Sequence, residues 1–241
     1  MFGCQNSVEQ KALKKYRWLL RLSPQSFALS PSAMPPVKFR LLLVTDRHQT
    51  SERPLPEILH QAIVAGLSAI QVRERDLSTN ELLPLLQEIQ SITTPRAVPL
   101  IVNDRVDLVL ALNLGGVHLR SDSLPVSSAR WLLGPDRLIG ISTHSVEEVR
   151  RANQEGADYI IFGPIFDTSS KRSYGPPLGL DLLATACRES TVPVFAIGGI
   201  TCERVGAVRR AGAHGVAVIG ALLTRDDIGE ALREFTYALQ A

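Results

Sequence analysis

From residue 40 onward the chain alternates between short apolar runs rich in Val, Ile and Leu and longer stretches with helical periodicity, one pair about every 26 residues. The runs RLLLVT (40–45), AIQVR (69–73), PLIVN (99–103), GVHL (116–119), LIGIS (138–142), YIIFG (159–163), PVFAI (193–197) and GVAVI (215–219) predict strands. Helices are predicted between and after them, near 55–65, 79–91, 105–112, 126–133, 146–155, 180–188, 201–211 and 226–239. Alternation of this kind implies a parallel sheet with crossover helices. The signal A/E-G-x-x before an apolar run recurs as AGLSAI, EGADYI and AGAHGV, marking helix C-caps where glycine takes the left-handed conformation. Eight evenly spaced units in roughly 200 residues predict an α/β fold, a single (β/α)8 TIM barrel. An open doubly wound sheet is the alternative, and the even spacing favours closure.

The first 33 residues lack this rhythm. They carry Lys11, Lys14, Lys15, Arg17 and Arg21 against Glu9 alone, and a Ser/Pro-rich stretch runs from Ser23 to Pro36. A basic, acid-poor start of this kind could be a transit peptide. The expectation here is a disordered extension over 1–33, or a true start at Met34, with the barrel spanning 34–241. The formal net charge of +2 therefore hides a barrel that is mildly acidic, which argues against nucleic-acid binding. Cys4, Cys187 and Cys202 are scattered without metal-ligand spacing and read as thiols of a reducing cytoplasm. No apolar run reaches membrane-spanning length. The oligomeric state is left open.

A barrel of this class carries its functional residues just after the strands. Those positions are Thr45 and Asp46; Gln71, Arg73 and Arg75; Asn103 and Asp104; His118; Ser142 and His144; Gly163 and the loop to Lys171; Gly198 and Gly199; and Gly220. Cations, carboxamides, a carboxylate and glycines together suit an anionic, phosphorylated small molecule. AIGGIT and VIGAL end the last two strands, where barrels commonly bind phosphate through bare backbone N–H groups; Gly198 and Gly199 could alternatively just permit a tight turn. Arg73, Asn103 and Lys171 suggest a second anion site, since a planar fork and a point charge together suit a diphosphate. Asp104 could then hold Mg²⁺ or could N-cap the following helix. His118 is either a satisfied core histidine or a ligand contact. Ser142 and His144 lack an acid partner for a hydrolytic triad, so Ser142 is expected on a phosphate oxygen and His144 on a proton, with Thr143 or Ser145 as the competing helix cap. The long segment 163–179, GPIFDTSSKRSYGPPLG, is expected to act as a cationic lid.

In order and spacing, QVRERD (71–76), VNDR (102–105), GVHL (116–119), GISTHS (140–145), ADYIIFGPIFDTSSK (157–171), PVFAIGGI (193–200) and AGAHGVAVIGAL (211–222) resemble the thiamine phosphate synthase superfamily, which also includes thiazole tautomerases. The resemblance implies a TIM barrel that condenses hydroxymethylpyrimidine diphosphate with thiazole phosphate. It implies Gln71 and His118 at the pyrimidine, Arg73, Asn103 and Lys171 at the diphosphate, Ser142 at the departing diphosphate, and Arg75 and Thr168 as further substrate contacts. Gly198, Gly199 and Gly220 would meet the thiazole phosphate.

Two positions depart from the family pattern: Arg75 stands where synthases usually have Lys, and Ser123 stands where they have a second Mg²⁺ carboxylate. Asp122 is the neighbouring acid, so the expected metal pair is Asp104 and Asp122. The expectation is a thiamine phosphate synthase using Mg²⁺. The alternatives are a thiazole tautomerase, with His144 as acid and base, or a non-catalytic binder of the same phosphates.

Overall fold

The computed structural model describes residues 37–168 and 176–240. Eight strands run in chain order around a closed barrel: β1 (Leu41–Val44), β2 (Ile70–Val72), β3 (Leu100–Asn103), β4 (Gly116–Leu119), β5 (Leu138–Thr143), β6 (Tyr159–Phe162), β7 (Val194–Ile197) and β8 (Gly215–Val218). All neighbours pair in parallel, and β8 returns to β1 through Leu41↔Val216 and Leu43↔Val218. The helices are α1 (Leu55–Val64), α2 (Thr79–Thr93), α3 (Val106–Leu112), α4 (Val126–Leu133), α5 (Val146–Glu155), α6 (Gly179–Glu189), α7 (Cys202–Arg210), α8 (Gly220–Leu223) and α9 (Ile228–Gln240). The fold is thus the expected (β/α)8 barrel, each expected element lying within about two residues of its predicted bounds. The short α8 and the 3-10 turns Arg47–Gln49 and Thr94–Arg96 had no periodic signature. Residues 1–33, expected to form an extension, lie outside the described residues.

Local chemistry explains the boundaries. Ser78 N donates to Glu81 Oε2 at 2.9 Å at the start of α2, the reciprocal capping of an S-x-x-E sequence. Ser145 Oγ accepts from Glu148 N at 3.2 Å to begin α5. The three A/E-G signals end helices as expected, with Gly66, Gly156 and Gly212 at φ 102°, 84° and 97°.

Strand alternation separates two apolar layers. Outward residues such as Leu41, Leu43, Val102, Ile160 and Phe162 pack under the helices, while Leu42, Val44, Ile101, Leu138, Tyr159, Ile161 and Phe195 fill the barrel. Phe39, just before β1, plugs the lower end, 5.8 Å from the Tyr159 ring edge-on and 5.1 Å from Phe195. At the same end the buried Asp158 accepts from Arg130 Nη2 and Ile139 N, both at 2.6 Å, tying α4 to β5 and β6. Burial pushes the Asp158 carboxyl up, and the bonds from Arg130 and Ile139 pull it back.

Gly140 is what lets Tyr159 lie across the barrel. A Cβ at Gly140 would overlap the Tyr159 ring at Cζ, Cε1 and Cε2. Gly140→Ala is therefore expected to lose about 1–3 kcal/mol of stability, measured by urea unfolding. Combining it with Tyr159→Ala should cost less than the sum of the two single changes; strict additivity would contradict the clash.

Candidate active site

The polar strand ends meet at one mouth. Gln71 Nε2 donates to Asn103 Oδ1 at 3.3 Å, joining β2 to β3. Asn103 pairs in register with His118, and Asp104 N donates to His118 O at 3.0 Å, joining β3 to β4. His118 Nε2 shares a proton with Ser142 Oγ at 2.9 Å, joining β4 to β5. Its Nδ1 lies 3.2 Å from Tyr159 Oη, so the chain continues down the axis to β6. Arg73, half-buried just after β2, adds a positive charge that bears on His118.

His118 is buried, and both its nitrogens are engaged, so of the two roles left open by the sequence it fills that of a satisfied core histidine. Burial first, and then the Arg73 charge, hold its pKa at about 3 against an ordinary 6.5. It is a neutral imidazole at physiological pH. Gln71 is also buried, and its Oε1 has no donor among the described residues. A buried acceptor left unpaired costs about 1–3 kcal/mol, which marks this oxygen as poised for an N–H group from a ligand.

Asp104 does not cap a helix. The N-cap of α3 is Arg105, without a side-chain bond, while Asp104 adopts a left-handed φ of 59°. That turn directs its carboxylate to Arg120, Oδ1 accepting from Arg120 N at 3.1 Å and Oδ2 lying 2.7 Å from Nε. Asp122 Oδ1 approaches the same Nε at 3.1 Å. Ser123, at the departure from the family pattern, spends its N–H on Arg120 O at 3.2 Å. Thus Asp122 and not Ser123 joins Asp104 around one cation.

His144 is fixed from two sides. Its N–H donates to Glu148 Oε2 at 2.5 Å, and its Nδ1 lies 2.6 Å from Gly163 O. A carbonyl only accepts, so Nδ1 carries the proton and Nε2 is left as the basic nitrogen. Ser145 is the helix cap, which frees the polarity of His144 from that explanation.

Gly198 (φ 96°) and Gly199 (φ 61°) answer partly to packing. A Cβ would stand 2.6 Å from Pro164 Cβ at Gly198 and 2.6 Å from Asp167 O at Gly199. The chain after β6 rests on β7 here, with Ile165 N donating to Ile197 O and Phe166 N to Gly198 O at 2.8 and 3.1 Å. Gly220 opens α8, and a Cβ there would stand 2.6 Å from Gln49 Oε1. Thr168 is half-buried, and Arg75 is exposed. Lys171 and the centre of the expected lid lie outside the described residues.

Several contributors went unassigned in the sequence. Glu74, in the middle of QVRERD, is buried and accepts from Thr45 Oγ1 at 2.5 Å and from Arg47 N at 3.1 Å. Thr45 Oγ1 in turn accepts from Arg73 N at 3.0 Å, so the acid positions the backbone that presents Arg73. Arg47 also forks onto both Asp76 oxygens at 2.6 Å, which holds that carboxyl well below its usual range. The acid-base alternation of Arg47 against Glu74 and Asp76 was visible, but their adjacency arises only from β1 pairing with β2. Tyr159 stood only as the first residue of the strand run YIIFG, and its hydroxyl gave no separate signal.

A closed parallel barrel with a polar, cation-bearing mouth places the protein among (β/α)8 barrels whose site lies at the strand ends. The sequence model described as thiamine monophosphate synthase matches residues 41–222. The thiamine-phosphate synthase of Clostridium novyi is 41% identical over 192 residues, 80% of this chain and 94% of that protein. The thiamine-phosphate synthase of Roseiflexus castenholzii is 39% identical over 217 residues, 90% of this chain and 95% of its own length. Among solved structures, the thiamine phosphate pyrophosphorylase of Pyrococcus furiosus superposes with a TM-score of 0.76 at 31% identity, covering 83% of this chain and 95% of that one. The chain belongs to the thiamine monophosphate synthase family.

The state of His118 sets a pH dependence. Below about pH 6.5 the unfolded chain binds a proton at this residue that the folded protein refuses until about pH 3, so stability falls as pH falls through that window. The urea midpoint of the wild type should therefore drop more steeply between pH 7 and 4.5 than that of His118→Gln. Parallel profiles would contradict a buried, neutral His118.

Proposed function

We propose that the barrel mouth is the site at which this thiamine-phosphate synthase, a transferase, joins hydroxymethylpyrimidine diphosphate to thiazole phosphate. The observation that carries this assignment is the buried, unpaired Gln71 Oε1 beside Asn103 and His118. An N–H donor on a pyrimidine edge would complete it, with the ring against His118. Arg73 and Asn103 would grip the diphosphate, aided by Lys171 and by Arg75. Ser142 is held by His118 with its remaining capacity directed at the leaving diphosphate. Gly198, Gly199, Gly220 and Thr168 would receive the thiazole phosphate.

The chemistry asks for charge stabilisation and placement. The C–O bond to diphosphate breaks with its electron pair on oxygen, and the thiazole nitrogen lone pair forms the new C–N bond. Cations facing the departing oxygens lower the barrier to the first change, and holding both rings in one cavity favours the second. His144, with Nε2 as its basic nitrogen, would handle protons at the edge of the site. The tautomerase alternative is not needed.

The donor set fits Mg²⁺. Two carboxylates, Asp104 and Asp122, already converge on a single cationic nitrogen. Among the described residues no group of three or more His, Cys, Asp or Glu side chains forms a closed cage, and an ion that keeps waters and substrate phosphates needs none. Bound between Asp104 and Asp122, Mg²⁺ would supply positive charge to the diphosphate. No helix among the described residues is long and apolar enough to cross a membrane. Cys187 and Cys202 are free thiols, which supports a cytoplasmic setting. The activity would reside in the barrel, residues 34–241.

Diphosphate release from the two substrates with Mg²⁺ tests the reading. Lys171→Ala should lower turnover on the order of a hundredfold or more, the scale for removing one preorganised charge partner. Metal-independent thiazole isomerisation without condensation, or tight binding of both phosphates without turnover, would overturn it.

A further inference from the structure

Arg120 occupies the position between the two carboxylates assigned to Mg²⁺. Its Nε lies 2.7 Å from Asp104 Oδ2 and 3.1 Å from Asp122 Oδ1, and its N–H donates to Asp104 Oδ1 at 3.1 Å. The contact is electrostatic rather than a well-formed bond, since this buried Nε has no aligned hydrogen-bond acceptor. A guanidinium settled in its best geometry would fork onto one carboxylate, as Arg47 does onto Asp76. The nearest alternative cation in sequence, Arg105, is committed to Asp107 at 2.9 and 2.6 Å. Arg120 also follows directly on GVHL, so its backbone is anchored by β4 while its side chain, near the surface, can turn outward.

We propose that Arg120 is a resident counter-cation of Asp104 and Asp122 that a divalent ion must displace. The proposal rests on the assignment of those two acids to Mg²⁺. In the metal-free protein, Arg120 cancels one of the two negative charges and keeps the acids together. When the ion enters, the guanidinium must leave the shared position, and that displacement weakens metal binding to the protein alone. Diphosphate oxygens would then favour the exchange, because they bring negative charge both for the ion and for the released guanidinium. Metal and diphosphate are thereby coupled through one side chain, so that the protein takes up the ion mainly together with its substrate.

The test uses the full-length protein without substrates and Mn²⁺ as the probe ion, with free ion measured by electron paramagnetic resonance. Arg120→Gln should bind Mn²⁺ at least about tenfold more tightly than wild type, since a positive charge no longer opposes the ion. Arg120→Lys, which keeps the charge, should stay within about threefold. Adding Asp104→Asn to Arg120→Gln should remove the gain. Arg120→Met serves as a second neutral variant should the Gln variant fail to fold. Equal or weaker binding by the neutral variants, or no measurable binding by any of these proteins, overturns the proposal while leaving condensation activity as a separate question. A gain that survives Asp104→Asn overturns both the proposal and the metal assignment beneath it.

Discussion

Closing eight parallel strands into a barrel forces inward side chains from every strand to share one narrow space. In this protein that space is apolar at the lower end, where Phe39, Tyr159 and Phe195 meet, and polar at the upper end. The two ends are joined by a line of contacts, Tyr159 to His118 to Ser142. Gly140 makes room for that line, and burial keeps its histidine neutral. A charged imidazole at this depth would lack a compensating anion, so the mouth can present a flat neutral ring only because the core below is closed and dry.

The same constraint accounts for the division of labour around the mouth. Residues that point straight in, Gln71, Asn103, His118 and Ser142, are fixed by one another across adjacent strands. Residues on the loops just above are fixed by charge: Arg47 with Glu74 and Asp76 on one side, Arg120 with Asp104 and Asp122 on the other. Thr45 links the two levels, accepting from Arg73 N while donating to Glu74. Rigid groups therefore lie where a ring would rest, and groups with displaceable partners lie where phosphate and a metal would arrive.

Much of this was legible before any coordinates, because barrel geometry converts strand ends into neighbours. Gln71, Asn103, Asp104, His118 and Ser142 could be assembled from their positions in eight repeating units alone. What escaped were contacts that depend on side-chain reach or on loops. Glu74 sits between two noticed arginines, yet its burial follows from Thr45 and Arg47 on the neighbouring strand. The short α8 has too few residues to show a period. Asp104 was open both to capping and to metal binding, and its left-handed backbone, which turns it to Arg120, rules out the cap. Which residue of this loop stands near Asp104 was a question of loop offset, and Asp122 is the one that reaches the Arg120 nitrogen shared with Asp104.

The central claim is that Gln71 and His118 seat the pyrimidine, with Asn103 beside them gripping its diphosphate. Calorimetric titration of the full-length protein with hydroxymethylpyrimidine diphosphate and Mg²⁺, without thiazole phosphate, tests it most directly. Gln71→Ala and Asn103→Ala should each weaken binding by about tenfold or more, the loss of a buried hydrogen bond. Affinities unchanged from wild type in both variants would contradict the account.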